Sequence, residues 1–410
     1  MTLKIVALAL LTLGMVYDML LHLVQHRSAG NPTPENVADV YDAETYQRWR
    51  SYSGEKSRLQ IVSTLVSFVV MLVLLLTNAH AAFASLFPAG PVWQLLAVLL
   101  LQTVVGTVVS VCVSYVDTMK IEDKYGFNRS TMKTFITDQI RNLLLGFVLS
   151  FGLICALWSM HTSMGDWIIL LFAGLMFVFG LVVSFLYPVF SRIGNKFVPL
   201  EEGELKDRLM GLLTKHGYQV KAIEVMDASR RTTKLNAYFT GFGKMKTIVL
   251  YDNLLEAMSE DEICAIFAHE LGHGLHKDVL KGQIFNIFNM LLMSLTLWLA
   301  VRLGSMHEAF GFAEVNYGFA YILLSIGLGL VQPLMGMVMN ARSRKAEYRA
   351  DRQAVQEGYG QALITGLKKL GRDNFAHLAP SQILVVLEYS HPPMSQRIAA
   401  IEEAMKSQGL

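Results

Sequence analysis

The sequence has little charge for its length. Of its 410 residues, 17% are Asp, Glu, Lys or Arg and 53% are hydrophobic, whereas about 25% charged residues is usual in soluble domains. The apolar residues occur in blocks of about 20, the length at which a helix crosses the hydrocarbon core of a bilayer. The composition therefore excludes an ordinary soluble domain and predicts a mainly α-helical, polytopic membrane protein.

Cysteine is scarce, and a basic tract interleaved with aromatic residues is missing. The three cysteines, Cys112, Cys155 and Cys264, lie in apolar surroundings and form no CxxC pair. An odd, scattered set argues against a disulfide framework and against a cysteine metal site. The formal net charge of +2, without a basic tract, gives no reason to expect a nucleic-acid partner.

Seven apolar segments are long enough to be candidate membrane spans. The first has no small-residue cleavage site of the A-x-A kind, so we expect it to remain as a span and not to be removed as a signal peptide. The expected spans are 3–24, 59–86, 91–116, 142–162, 166–190, 283–304 and 317–340.

Lysine and arginine separate the connections into two kinds that alternate along the chain. The connections after the second, fourth and sixth spans contain neither residue, whereas the others are basic. Basic connections favour the cytoplasmic side of a membrane. We therefore expect the N-terminus to lie outside, and the long polar segments to be cytoplasmic.

This alternation predicts four parts of the chain. They are an N-terminal membrane domain at 1–190 with cytoplasmic loops 25–58 and 117–141, a cytoplasmic metalloprotease part at 191–282, a pair of spans at 283–340, and a cytoplasmic C-terminal part at 341–410.

The motif HELGH gives the clearest indication of chemistry. Ser259 and Glu262 form a capping-box pattern that predicts a helix through this motif. On a helix, His269 and His273 project from one face and can bind one zinc ion, while Glu270 is placed to act as a general base on a water. Hydrolysis by zinc also needs a third protein ligand and an open position.

A later acidic helix offers the missing ligand. The third ligand is expected to be a His, Glu or Asp that folding brings close, and the best candidate is Glu347 in SRKAEYRADRQA. Asp351, one turn further on, can accept the second N–H of a ligating histidine. The alternative is a solvated helix face on which both carboxylates pair with neighbouring arginines.

These residues resemble a known family. HELGH followed by EYRAD, with seven expected spans and HPP…R in the tail, is similar to the CAAX prenyl protease 1 family of membrane zinc metallopeptidases. The resemblance extends over nearly the whole chain through the stretches EDKYGFNRST, LNAYFTGFGKMKTIVLYDNLL and YSHPPMSQRIAAI. It implies seven transmembrane helices that enclose a chamber, with a small α+β zincin-like metalloprotease domain on the cytoplasmic side.

The resemblance also implies roles for individual residues. It makes His269, His273 and Glu347 the ligands of one zinc ion, and Glu270 the catalytic base. In the tail, it implies that His391 and Arg397 bind substrate and stabilise the transition state. It places Asn236 at the substrate cleft. From the residues alone, the tail motif and Asn236 also fit ordinary turns.

Substrate and location are less directly indicated. The family removes the three residues after a prenylated cysteine, so the expected partners are a prenylated CAAX protein or another membrane-associated polypeptide, together with membrane lipids. The compact chain, the KSQGL end without a retrieval signal and the short 305–316 connection favour a bacterial inner membrane over the endoplasmic reticulum. A membrane quality-control zinc protease without prenyl specificity is the alternative function.

A receptor or transporter with an incidental HELGH is a third interpretation. It predicts ionisable residues inside the spans. The clearest of these are Asp18 and His22 in the first span, whereas most charged residues lie in the predicted cytoplasmic segments. The sequence therefore favours the peptidase.

Overall fold

A computed structural model describes residues 2–192, 195–240 and 247–409 of the chain. The α-helices of the described part are α1 Thr2–Ser28, α2 Ala43–Leu76, α3 Ala79–Ala84, α4 Pro91–Val116, α5 Met132–Met164, α6 Ile168–Ser191, α7 Glu204–Lys215, α8 Asp252–Ala257, α9 Glu260–Leu275, α10 Asp278–Arg302, α11 Gly304–Ala309, α12 Tyr317–Gln356, α13 Gly360–Asp373, α14 Gln382–Leu387 and α15 Met394–Ser407. Its strands are β1 Phe197–Pro199, β2 Ala222–Met226, β3 Ala237–Thr240 and β4 Thr247–Tyr251. A π-helical segment, Asp117–Glu122, continues α4.

Six helices in the described residues are long and apolar enough to cross a membrane, namely α1, α2, α4, α5, α10 and α12. The expected fifth span, 166–190, falls on α6, whose apolar part within the described residues is the shorter stretch Leu170–Val183. The expected count of seven is therefore corrected to six full spans and one shorter apolar helix in the described part.

Apolar side chains cover the outer faces of these helices. Large hydrophobic residues such as Val104, Val108, Leu144 and Val148 are exposed on α4 and α5. Soluble proteins rarely expose apolar surface so extensively, whereas lipid covers such a surface at no cost. The chain is an integral, multi-pass membrane protein.

Helix α12 connects the membrane part to the soluble part. Its 40 residues correspond to about 60 Å at 1.5 Å per residue, twice the thickness of a hydrocarbon core. Its first half packs on the membrane helices through buried Phe319 and Ile322, and its second half carries the buried Glu347 and Asp351. The predicted helix that continues the last span is therefore present.

A small four-stranded sheet lies in the soluble part, in the order β1-β2-β4-β3. Strands β2 and β4 are parallel, and the two outer pairs are antiparallel. Because β3 pairs only with β4 in the described part, its other edge is open to a further strand. The sequence LNAYFTGFGK predicts a strand followed by a Gly-containing turn, and that turn, at 241–244, lies outside the described residues.

The soluble core lies between this sheet and α9. Buried Ile248 and Leu250 of β4 face the same core as Phe267 and Leu271 of α9. Each buried side chain of this size contributes about 1.5–3 kcal/mol of hydrophobic stabilisation. The apolar face of α9 is thereby fixed on the sheet, which determines where its polar face points.

Candidate metal centre

Helix α9 begins at a capping box. The Ser259 hydroxyl accepts from the Glu262 N–H (3.4 Å), and the Glu262 carboxylate accepts from the Ser259 N–H (2.8 Å). Such caps stabilise a helix by about 1 kcal/mol. Further along the same helix, the rings of His269 and His273 lie 4.9 Å apart between centroids. The predicted helix therefore holds the two histidines on one face.

Close packing of α12 against α9 brings Glu347 to these histidines. A Cβ on Gly272 would lie 2.9 Å from the Ala350 Cα, so the glycine of the HELGH motif permits the two helices to approach. The Glu347 carboxylate oxygens lie 3.5 Å from His269 Nε2 and 3.3 Å from His273 Nε2. One ligand atom from each of the three residues lies within 4.8 Å of the others.

The donor set fits a single metal ion. His269 and His273 each turn Nδ1 toward a carboxylate, which leaves both Nε2 lone pairs directed at the position between them and Glu347. Glu347 is 4% exposed, and its Oε2 is buried without a hydrogen-bond partner among the described atoms. An unsatisfied buried oxygen is costly, and a bound cation would satisfy it.

Two carboxylates form hydrogen bonds with the Nδ1 atoms of the histidine rings. Asp351, 1% exposed, lies 2.8 Å from His269 Nδ1, as its predicted role requires. Asp278 lies 3.2 Å from His273 Nδ1 and accepts from Arg349 Nη2 at 2.6 Å. Asp278 was not predicted from the sequence. The signal was available, since Asp278 is the first carboxylate after α9 and each ligating histidine needs an acceptor.

Two residues of the C-terminal part, His391 and Arg397, lie next to Glu347. Arg397 donates to Asp351 through Nε (3.0 Å) and Nη2 (2.6 Å), and its Nη1 lies 3.4 Å from Glu347 Oε2. His391 Nε2 lies 3.3 Å from Glu347 Oε1, and its ring is more exposed. The structure therefore brings both predicted tail residues to the two histidines and Glu347.

Electrostatics at the centre are dominated by the buried carboxylates. Burial lowers the pKa of His273, but the hydrogen bond and charge of Glu347, with a smaller contribution from Asp278, raise it to about 9. Burial also lowers the pKa of Arg397, and the Asp351 carboxylate more than compensates, so this pKa is raised. Without a metal ion, both groups are therefore cationic at neutral pH.

The centre opens into a cavity of about 1470 Å³. Glu270 and Asn236 line this cavity, as do the first residues of the open-edged strand β3, Ala237 and Tyr238. The membrane helices α6, α10 and α12 contribute an apolar part of the remaining wall, with Phe177, Leu181, Val183, Val279, Leu280, Phe285 and Met339. One cavity thus joins the hydrophilic centre to a hydrophobic surface.

Family models match most of the chain. A model described as CAAX prenyl protease N-terminal, five membrane helices, matches residues 21–192, and the model of peptidase family M48 matches residues 199–405.

Similar proteins are known from plants and yeasts. A CAAX prenyl protease 1 homolog of Oryza sativa subsp. japonica is 30% identical over 97% of this chain and 96% of its own length. The CAAX prenyl protease 1 of Saccharomyces cerevisiae is 30% identical over 90% of this chain and 88% of its own. The crystal structure of S. mikatae Ste24p superposes with a TM-score of 0.91 at 27% identity, covering 98% of this chain and 99% of that one.

Proposed function

This chain belongs to peptidase family M48 and, within it, to the CAAX prenyl proteases, and we propose that it cleaves peptide bonds near the C-terminus of prenylated CAAX proteins. It is an integral membrane metallopeptidase with a peptide or protein substrate. The observation that carries the proposal is the single cavity that joins the candidate metal centre to an apolar wall of membrane helices. A lipid-modified peptide needs both surfaces at once.

We infer that the metal is zinc, held by His269, His273 and Glu347, because two imidazoles and one carboxylate with an open position are typical of hydrolytic zinc sites. When bound there, zinc supplies Lewis acidity toward a water and a peptide carbonyl. Asp351 orients His269 through its 2.8 Å hydrogen bond, which fixes the tautomer with Nε2 free for the metal.

Glu270 is the proposed general base. It follows His269 on α9 and lines the cavity, so its carboxylate can take a proton from the attacking water and deliver it to the leaving amine. Arg397 and His391 face Glu347 across the centre. Their N–H groups would stabilise the negative charge that develops on the carbonyl oxygen.

The peptide is proposed to lie along β3. Asn236 directly precedes this strand, and its own Oδ1 accepts from the Ala237 N–H at 2.9 Å. The edge of β3 that no described strand pairs with can bind an extended peptide through main-chain hydrogen bonds, which select no particular side chains. Asn236 would then contact the peptide near the scissile bond.

The prenyl group is proposed to lie against the apolar wall, where burial of a hydrocarbon chain contributes about 0.8 kcal/mol per methylene. The names of the relatives favour this function over a membrane quality-control protease without prenyl specificity. Both functions would use the same centre and differ in whether the lipid is required.

Orientation and domain roles are also proposed. The basic connections 25–58 and 117–141 favour a cytoplasmic catalytic part and C-terminus, with the N-terminus outside. In this arrangement, 191–282 and 341–410 form the centre together, while 1–190 and 283–340 form the membrane part. The relatives named above are eukaryotic, and they give no support to the expectation of a bacterial inner membrane.

Mass spectrometry of a farnesylated CAAX peptide after incubation with the purified, zinc-loaded protein tests the proposal. We expect loss of the last three residues with the wild type and an intact peptide with Glu270→Gln. The same peptide without its lipid should be cut more slowly. Equal cleavage of both peptides would favour the quality-control function, and an intact farnesylated peptide would contradict the proposed activity.

A further inference from the structure

The charged residues on the cavity wall are distributed unevenly. The acidic ones, Glu270, Asp278 and Glu347, all belong to the metal centre or its direct hydrogen-bond partners. Every other charged residue that lines the described cavity is a cation. These are Lys277, Lys281, Arg342, Lys345, Arg349 and Arg397.

Two of these cations are already neutralised. Arg349 pairs with Asp278, and Arg397 pairs with Asp351. The other four are exposed, and in the described part of the chain none of them has a carboxylate within ion-pair distance. Four unpaired cations on one wall repel each other and produce a local field that attracts an anion.

Lys281 and Arg342 form the centre of this cationic wall. Arg342 Nη2 donates to the Lys281 carbonyl oxygen at 3.1 Å, and its guanidinium carbon lies 5.2 Å from the centroid of the Phe285 ring. This bond joins α10 to α12 and fixes one side of the guanidinium group. Among the described residues, its other N–H groups have no hydrogen-bond partner, so they can bind a planar carboxylate in a bidentate manner.

The distance from the metal centre fits a short leaving segment. Arg342 precedes Glu347 by five residues on α12, which corresponds to about 7.5 Å along the helix axis. An extended tripeptide spans at most about 10 Å. A leaving tripeptide that runs parallel to α12 from the centre is therefore long enough to bring its terminal carboxylate to the level of Arg342 and Lys281.

We propose that Lys281 and Arg342, assisted by Lys277 and Lys345, bind the free α-carboxylate of the substrate's C-terminus. This inference rests on the proposed function and adds a specificity determinant to it. Binding of the substrate's C-terminal carboxylate would select the peptide bond that lies three residues before the C-terminus. Because charge-assisted hydrogen bonds need an ionised acceptor, a peptide that ends in a carboxamide lacks the recognised group.

The test compares two farnesylated CAAX peptides that differ only in a C-terminal carboxylate or carboxamide. Values of kcat/KM are measured for the wild type, for Lys281→Gln/Arg342→Gln, and for Arg352→Gln. Arg352 is exposed on the same helix and does not line the cavity, so it is the matched control for lost charge. Zinc content and thermal melting are measured for each variant.

The wild type and Arg352→Gln should prefer the carboxylate peptide about tenfold or more, the effect typical of hydrogen bonds to a charged group. The double variant should lose this preference through slower cleavage of the carboxylate peptide alone. A defect in folding would slow both peptides equally and leave their ratio intact.

Two outcomes would overturn the inference. A wild type that cuts both peptides at equal rates has no carboxylate site, although its cleavage of the farnesylated peptide would leave the proposed function standing. A double variant that keeps the wild-type ratio with wild-type zinc content and melting would also overturn it, and loss of its activity only in anionic lipid would assign the cations to phospholipid headgroups.

Discussion

Replacement of Asp278 by Asn tests the geometry around the second histidine. The carboxylate holds His273 Nδ1 at 3.2 Å and is itself held by Arg349 at 2.6 Å. An Asn at this position keeps the shape, removes the charge and can present its amide N–H₂ to the ring. We therefore expect weaker orientation of His273 and a less basic Nε2.

The expected loss follows from the position of Asp278. Removal of a carboxylate behind a ligating histidine typically costs 10–100-fold in metal affinity. Asp278 is less buried than Asp351 and makes the longer bond, 3.2 Å against 2.8 Å. We expect zinc affinity to fall by about tenfold, or about 1.4 kcal/mol, at the lower end of the range.

Zinc affinity is measured by competition with a chelator of known affinity. Asp261→Asn is the control, because Asp261 lies on the same helix α9 and pairs with Arg208 at the surface. It should bind zinc as the wild type does. Unchanged affinity in Asp278→Asn would refute the argument that Asp278 supports the metal through His273.

Three further changes test the metal centre, the packing of α12 on α9 and the buried His377. Glu270→Gln should keep stoichiometric zinc by elemental analysis and lose peptidase activity, whereas Glu347→Ala should lose both; activity in the first or zinc in the second would contradict the proposed roles. Gly272→Ala should destabilise the protein by about 1–3 kcal/mol in thermal melting, because its Cβ meets Ala350 at 2.9 Å; an unchanged melting temperature would show that the helices can separate. Burial lowers the pKa of His377 from 6.5 to about 4, so its contribution to stability is complete above pH 6.5 and is lost as pH falls toward 4; His377→Asn should flatten that part of the stability–pH curve, and an unchanged slope would assign it to other groups.

The sequence predicted α9 well because its determinants are local. The capping box, the helical spacing of the two histidines and the motif glutamate all lie within 15 residues. Glu347 and Asp351 followed from two requirements, namely that zinc needs a third ligand and that its histidines need acceptors. Their positions in the structure agree with that expectation, while their roles stay predictions.

Asp278 and the cationic wall depend on tertiary packing. Lys277 adopts a left-handed conformation with φ of 56°, and the resulting turn directs Asp278 back toward His273. The backbone propensity of the sequence did not predict this turn, because a lysine rarely adopts a left-handed conformation. Likewise, Lys281 and Arg342 are 61 residues apart in sequence, and only the packing of α10 on α12 brings them together.

The sheet and the spans were predicted in part. Strands β2 and β4 have β-branched, partly alternating sequences, whereas β1 has three residues and too little pattern to be recognised. The parallel pairing of β2 with β4 is non-local. The span count relied on hydropathy along the chain; the described residues contain six helices that are long and apolar enough to span, and α6 contributes the shorter apolar stretch Leu170–Val183.

A cryo-EM structure of the Glu270→Gln variant with zinc and a farnesylated CAAX peptide tests the central claim most directly. We expect metal density between His269, His273 and Glu347, the peptide along β3, and the lipid against the apolar wall formed by α6, α10 and α12. Metal density elsewhere, or a lipid outside the cavity that holds the metal, would contradict it.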